Sequence, residues 1–239
     1  MKKYRIEFHV HTSISNDSFL KKRFLFLMCK LKKINCLAIT DHNEIDNAIK
    51  YKEYFEKHGI KVIAGEEIFS KDGEIIGLFL TKKISPNLSA FETINEIKKQ
   101  NGLVYIPHPY DEKRYKTVFK KDTLLEIKDK VDFIECHNGR NVLQKYSDIQ
   151  SSIADELGLV KIVGSDAHTF YEIGRNYCEV SSLEKEDLIN EIKNANFVKK
   201  KCIKFAHFNT KIVKLLKMIK GGKWNELSRI INKRFRRSR

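Results

Sequence analysis

Phe8-His9-Val10-His11-Thr12-Ser13-Ile14-Ser15-Asn16-Asp17-Ser18 leads out of the first β-rich run of the chain, residues 4–10. Residues i and i+2 of a strand share a face. His9 and His11 therefore project together, and Val10 turns to the opposite side. The pattern recurs downstream. Glu135-Cys136-His137 ends a β-rich run over 131–137, and Asp166-Ala167-His168 follows one over 159–163. Each places a nitrogen or carboxylate pair on one face and leaves Cys136 or Ala167 for the other. Asp41-His42, Glu66-Glu67 after Gly65, and Pro107-His108-Pro109 also stand at the ends of β-rich runs, 36–40, 60–64 and 103–106. The remaining histidines, His58 and His207, have no acid or histidine nearby; they read as a helix-end residue and a surface residue.

Working outward, helical runs fall at 19–33, 45–58, 88–100, 122–128, 142–157 and 184–194. A further strand at 74–80 is reached through the turn pair Asp72-Gly73, and a last strand is expected at 177–180. Repeated strand-then-helix units imply a parallel sheet covered by helices, and about seven such units favour an α/β barrel over an open sheet. In such a barrel, chemistry sits at the C-terminal ends of the strands. That is where the histidine and acid clusters fall. Burying so many polar groups without a partner would cost several kcal/mol, and a divalent metal supplies the partner. Imidazole with carboxylate suits manganese, iron or zinc better than calcium or magnesium.

Composition narrows the class. The 239 residues are 41% hydrophobic and 32% charged, which excludes a disordered chain. The five cysteines lack CxxC spacing, which excludes a disulfide scaffold. No run approaches the ~18 apolar residues of a membrane span, and MKKYRIEFHVHTS has no apolar signal region. A cytoplasmic protein with reduced thiols is expected.

The net charge of +15 is unevenly placed. Residues 201–239 hold thirteen Lys and Arg and one acid, Glu226, a net of +12; residues 1–200 hold 33 basic and 30 acidic residues, a net of +3. The division is therefore a barrel over 1–200 and a basic amphipathic helical tail over 201–239. In the tail, Phe205, Phe208, Ile212, Leu215, Leu216 and Ile219 recur at steps of three and four. Trp224, Leu227, Ile230 and Ile231 do so again after Gly221-Gly222. Three roles are open. The first helix packs on the body; or the tail lies on an anionic membrane, which would make the protein peripheral at the inner membrane face; or Arg234, Arg236, Arg237 and Arg239 contact nucleic-acid phosphates.

The segments FHVHTSISNDS (8–18), AITDHNEI (38–45), VIAGEEI (62–68), YIPHPY (105–110), IECHNGR (134–140) and IVGSDAH (162–168), in this order, resemble the PHP family. This is the polymerase-and-histidinol-phosphatase superfamily of metal-dependent phosphoesterases. The resemblance implies a distorted seven-stranded (β/α)7 TIM-like barrel with two or three metal ions, commonly manganese, iron or zinc. It also implies a ligand set. His9, His11, Asp166 and Glu67 would hold one metal, Glu67, His108 and His137 a second, and Asp17, His42 and His168 a third. Glu67 matches the family's Gly-x-Glu, with Glu66 the adjacent alternative. Asp17 stands six residues past the second histidine, where many members have it five past. Asp41 and Glu135 look like groups orienting His42 and His137.

The function expected from this set is hydrolysis of a phosphate monoester by a metal-activated water. The substrate is a small phosphorylated molecule: a nucleotide, a sugar phosphate or a histidinol-phosphate-like compound. Where the third metal is weakly held, His42 and His168 are candidates to protonate the leaving oxygen. Arg140 and Arg175 are candidates to grip phosphate, with Lys113, Arg114 and Lys116 adding positive field. Two other functions are set beside it: a nuclease trimming nucleic-acid ends, and a membrane-surface scaffold with a vestigial barrel site.

Overall fold

The computed structural model describes residues 3–111, 118–222 and 224. The second amphipathic run beyond Trp224, the terminal arginines, and Lys113, Arg114 and Lys116 lie outside the described residues. The elements in chain order are β1 (Tyr4–Val10), α1 (Lys22–Lys32), β2 (Cys36–His42), α2 (Asp46–Lys57), β3 (Lys61–Phe69), β4 (Glu74–Leu78), α3 (Ala90–Lys99) and β5 (Leu103–Ile106). There follow α4 (Lys121–Ile127), β6 (Phe133–Asn138), α5 (Gln144–Leu157), β7 (Lys161–Ala167), β8 (Tyr177–Val180), α6 (Lys185–Lys193), β9 (Asn196–Val198) and α7 (Lys204–Lys220).

Strands β1 to β7 close into a barrel in the order β2-β3-β4-β5-β6-β7-β1, with β1 pairing back onto β2. Six run the same way. β4 is antiparallel to both neighbours, because the turn after Phe69 returns the chain directly, without a helix. This reversed strand distorts the barrel. β8 pairs antiparallel with the first residues of β1, below the point where β7 joins it, and β9 extends the edge.

The strands read as continuous apolar runs because both faces are covered. On β2, Leu37 and Ile39 belong to the cluster that receives the helices, with Leu25, Phe55 and Ile97. Cys36 and Ala38 belong to a second cluster with Phe8, Tyr105 and Phe133, continued by Leu188 and Ile192 of α6. α3 begins with a reciprocal cap between Ser89 and Glu92, and α5 stops at Gly158 in the left-handed conformation.

Two bulges decide where the site residues point. In β1, Glu7 pairs with Leu37 of β2 and Val10 with Ile39, so Phe8 and His9 stand against the single residue Ala38 and β1 carries the extra residue. In β6, Glu135 pairs with Ile162 and His137 with Val163, leaving Cys136 as an extra residue. An extra residue reverses the facing of everything after it.

Candidate metal centre

Glu67, on β3, stands at the centre of four imidazoles at the barrel mouth. Its Oε1 lies 3.1 Å from His108 Nε2 and 3.3 Å from His9 Nε2. Its Oε2 lies 2.8 Å from His42 Nδ1 and 3.4 Å from His11 Nε2. Asp166 Oδ1 closes the set at 3.7 Å from His9 Nε2 and 3.5 Å from His11 Nε2. Glu66 faces elsewhere and accepts from the Ile84 amide at 2.9 Å. A second group adjoins the first. His168 Nε2 is 3.3 Å and His42 Nε2 3.8 Å from Asp17 Oδ1, and the His11 ring lies between those of His42 and His168, with centroids 4.3 and 4.1 Å away.

The backbone is bent to achieve this. His9, His108 and Asp166 have φ of 63°, 28° and 50°. Non-glycine residues rarely occupy that region, and such strain collects at functional sites. Three further groups hold the rings in place. Glu135 Oε1 accepts from His9 Nδ1 at 2.7 Å and from the Tyr105 hydroxyl; Glu135 Oε2 accepts from the His108 amide at 2.6 Å and Asn138 Nδ2 at 2.8 Å. The proton on His9 Nδ1 is thereby fixed and Nε2 is left for the cluster. Asp41 accepts from the Thr12 amide and hydroxyl, each at 2.6 Å, and from the Ser15 hydroxyl at 2.5 Å. Ser18 donates to the carbonyls of His11 and His168 at 2.8 and 3.0 Å.

The residues fit a cation. His9 Nε2, His11 Nε2, Asp17 Oδ1 and Glu67 Oε2 are buried and make no hydrogen bond. Apart from the 2.8 Å between Glu67 Oε2 and His42 Nδ1, their separations from one another's groups are 3.3 to 3.8 Å, longer than most hydrogen bonds. Two donor atoms each about 2.1 Å from a shared ion lie about 3.4 Å apart in tetrahedral geometry. Glu67 and His11 have the charge states of ligands, whereas Glu67 raises the pKa of His9 and of His42 against the lowering effect of their burial. Burial would raise the Glu67 pKa, yet His9, His42 and His108 hold it well below the usual carboxylate range. Burial, with His168 and His42 alongside, pushes His11 well below its usual value, so it is the neutral ligand form. The combinations His9-His11-Glu67, His9-His108-Asp166, His42-Glu67-Glu74 and His11-His42-His168 each bring three donor atoms within reach of one ion.

Four expectations are corrected here. His137 is not brought to the cluster. The bulge at Cys136 turns it away, and its ring lies between Ser147 of α5 (Nδ1 to Oγ, 2.7 Å) and Asn176 (Nε2 to Oδ1, 3.2 Å). Glu135 accordingly orients His9 rather than His137, and Cys136 packs in the cluster with Phe133 and Cys178 instead of facing the helices. Asp41 likewise braces Thr12 and Ser15 rather than His42. Glu74, which sequence reasoning missed, stands where a ligand on His108's side is needed, 3.3 Å from His108 Nε2. His108→Ala is expected to lower bound metal by at least about tenfold in affinity, and His137→Ala to leave it nearly unchanged. Elemental analysis of the two dialysed variants checks this; equal losses would restore His137 to the ligand set.

The arginines also differ from expectation. Arg140 is buried, and its fork is engaged: Nε and Nη2 reach Glu172 at 3.0 and 3.3 Å, and Nη2 reaches Thr210 of α7 at 2.8 Å. Glu172 in turn accepts from the amides of His168 and Thr169. Arg140 therefore ties the His168 loop to α7. Arg175 donates to the Lys201 carbonyl at 2.9 Å, on an exposed surface. His207 is not a bare surface residue: its Nε2 lies 3.1 Å from the Arg140 carbonyl.

α7 forms a wall of the site. A cavity of about 620 Å³ opens over Asp17, His42 and His168, bounded by Arg140 and Tyr146 and, from α7, by Lys204, Lys211 and Lys214. The helix is anchored by Lys217, whose ammonium donates to the carbonyls of Ser13, Ser15 and Ser18 at 2.8, 2.6 and 2.9 Å. These residues carry Asp17. Lys217→Met is expected to cost about 1–3 kcal/mol of stability in a denaturant titration, with partial recovery in Lys217→Arg. No cost in the methionine variant would mean the anchor is dispensable.

The fold and the cluster together define a distorted α/β barrel with a histidine–carboxylate centre at its mouth. Residues 7–180 match the PHP domain, and the chain belongs to that family. It is 33% identical over 199 residues to the uncharacterized protein MJ0417 of Methanocaldococcus jannaschii, covering 82% of this chain and 79% of that one. Its fold is similar to that of a two-domain protein from Bacteroides vulgatus, described as containing a predicted PHP-like metal-dependent phosphoesterase, at a TM-score of 0.68 and 18% identity. That match covers 83% of this chain and 65% of the two-domain protein. PsfC from Pseudomonas syringae is similar at a TM-score of 0.64 and 16% identity, covering 91% and 99% of the two chains. Among the described residues, no helix is long and apolar enough to cross a membrane.

Proposed function

We propose that the chain hydrolyses the phosphate monoester of a small molecule, such as a nucleotide, a sugar phosphate or a histidinol-phosphate-like compound. The observation that carries this is the set of buried donor atoms without hydrogen bonds, His9 Nε2, His11 Nε2, Asp17 Oδ1 and Glu67 Oε2, beneath a cavity walled by lysines. Its volume falls in the range that encloses a small ligand. His9, His11, Glu67 and Asp166 would hold one ion, His108 with Glu67 and Glu74 a second, and Asp17, His42 and His168 a third. Manganese, iron or zinc bound there supplies Lewis-acid polarisation of the phosphoryl group and a nucleophilic water at neutral pH.

The chain's own residues do the rest. Lys204, Lys211 and Lys214 draw the anion into the cavity. Where the third ion position is weakly held, His42 Nε2 and His168 Nε2, on either side of Asp17 Oδ1, are the ring nitrogens on the cavity floor placed to protonate a leaving oxygen. Arg140 fixes the wall against which the substrate rests, through Glu172 and Thr210.

The test is phosphate release with manganese over mononucleotides, sugar phosphates, histidinol phosphate and a phosphorylated oligonucleotide, with His9→Ala alongside. Release from one small-molecule class, lost in His9→Ala, supports the reading. Silence on the small molecules with shortening of the oligonucleotide would replace it with end-trimming of nucleic acid.

A further inference from the structure

α7 is seated the wrong way round for a core helix. The residues it buries against the barrel are Ala206, Thr210 and Val213, followed by the anchoring Lys217. At about 100° per residue, these share one face. Phe205, Phe208, Ile212, Leu215, Leu216 and Ile219 share the opposite face and point to solvent, with Phe205 61% and Phe208 57% exposed. The periodicity that marks a core-facing stripe is present, but the barrel does not use it.

The stripe does not stand alone. Phe205 stacks on Phe208 and on Tyr171, with centroids 6.1 and 6.5 Å apart, and Tyr171 meets Phe170 at 5.2 Å. Beside them a separate hollow of about 350 Å³ is lined by Phe19, Phe24 and Phe170. Each of these three is about half exposed. The apolar surface thus runs from the loop before α1, across the loop after β7, and along α7. Monomeric soluble proteins rarely expose contiguous apolar surface of this kind without a partner.

Charge decides which partner. α7 carries no acid and ends in Lys220, Lys21 lines the hollow, and the whole of 201–239 nets +12. Lysine is depleted at protein–protein interfaces. A helix with large apolar and aromatic residues on one face and lysines beside them is the pattern that lies in the headgroup layer of an anionic bilayer. Trp224, 61% exposed just past the helix end, has the amphipathic ring favoured at that depth. We propose that the outer face of α7, with Phe19, Phe24 and Phe170, docks on an anionic lipid surface, leaving the lysines on the other edge of the helix to the cavity.

The experiment uses the full chain with phosphatidylglycerol–phosphatidylcholine vesicles and with pure phosphatidylcholine vesicles, at about 0.1 M and about 1 M salt. Co-sedimentation with the anionic vesicles is expected, with a blue shift of the single tryptophan. Phe208→Gln, Ile212→Gln and Leu216→Gln combined keep good helix formers at exposed positions. They should weaken binding at least about tenfold while the melting curve is unchanged. Three results would overturn the proposal. One is no sedimentation at the lower salt. Another is equal binding by the triple variant, which would leave attachment to the basic residues alone. The third is a wild-type dimer that becomes monomeric in the variant, which would mean that a second copy covers the stripe.

Discussion

Glu67→Gln is expected to reduce phosphate hydrolysis by well over 100-fold while the protein remains folded. The amide matches the carboxylate in volume, so packing is retained. What is lost is the one negative charge within 3.4 Å of His9, His11, His42 and His108. No other carboxylate in the cluster meets four imidazoles. A carboxylate so placed would be shared between ions, so its loss should weaken more than one binding position together. Removing a group that merely orients a ligand costs about 10–100-fold, and a shared ligand costs more. Steady-state kinetics of the variant with saturating manganese check this. Glu66→Gln is the control, since Glu66 bonds the Ile84 amide away from the cluster. Comparable activity in the two variants would remove Glu67 from its central place.

Gly164→Ala should be nearly as damaging, although no ligand is touched. A Cβ on Gly164 would lie 1.8 Å from Glu135 Oε1, 2.5 Å from its Cδ and 2.6 Å from the Tyr105 hydroxyl. The carboxylate has nowhere to go, because His9, Tyr105, the His108 amide and Asn138 all donate to it. Burial alone would raise the Glu135 pKa, and His9, His108 and Tyr105 bring it down. The group is therefore ionised and fully partnered. Moving it leaves several buried donors unpaired, at about 1–3 kcal/mol each, on top of the overpacking cost of about 1–3 kcal/mol. A loss of about 3–5 kcal/mol in denaturant unfolding is expected, with released His9 and reduced metal retention. A variant with wild-type stability and metal content would show that the barrel interior relaxes around a methyl group.

Most of the cluster was legible in the sequence because its members come in short pairs at strand ends. His9, His11, His42, Glu67, His108, Asp166 and His168 converge as the strand-end clusters suggested, and Asp17, which stands apart from them in the sequence, joins His42 and His168. The i, i+2 rule reached the right result at His9 and His11 by a different route, since β1 ends at Val10 and His9 sits in a bulge with φ of 63°. The same rule failed at His137, where the bulge at Cys136 reverses the facing and nothing in Ile-Glu-Cys-His-Asn announces it. Glu74 was illegible for a topological reason. β4 runs antiparallel, and Phe69 pairs with Glu74, so this strand brings its first residue, not its last, to the end of the barrel that carries the cluster. A search of strand C-termini passes over it. The tail shows the limit of periodicity. The spacing from Phe205 to Ile219 fixed an apolar stripe, but not which side of the helix would meet the barrel. Packing chose Ala206, Thr210 and Val213, whose small side chains let the helix approach closely enough for Thr210 to reach Arg140.

The central claim is that the histidine–carboxylate cluster is a multi-ion metal centre. Elemental analysis of the full chain, loaded with manganese and then dialysed against metal-free buffer, tests it most directly. Two or three ions per chain, falling to one or none in Glu67→Gln, is the result expected. A wild-type chain that retains no metal, and whose melting temperature is the same with manganese and with a chelator, would contradict it.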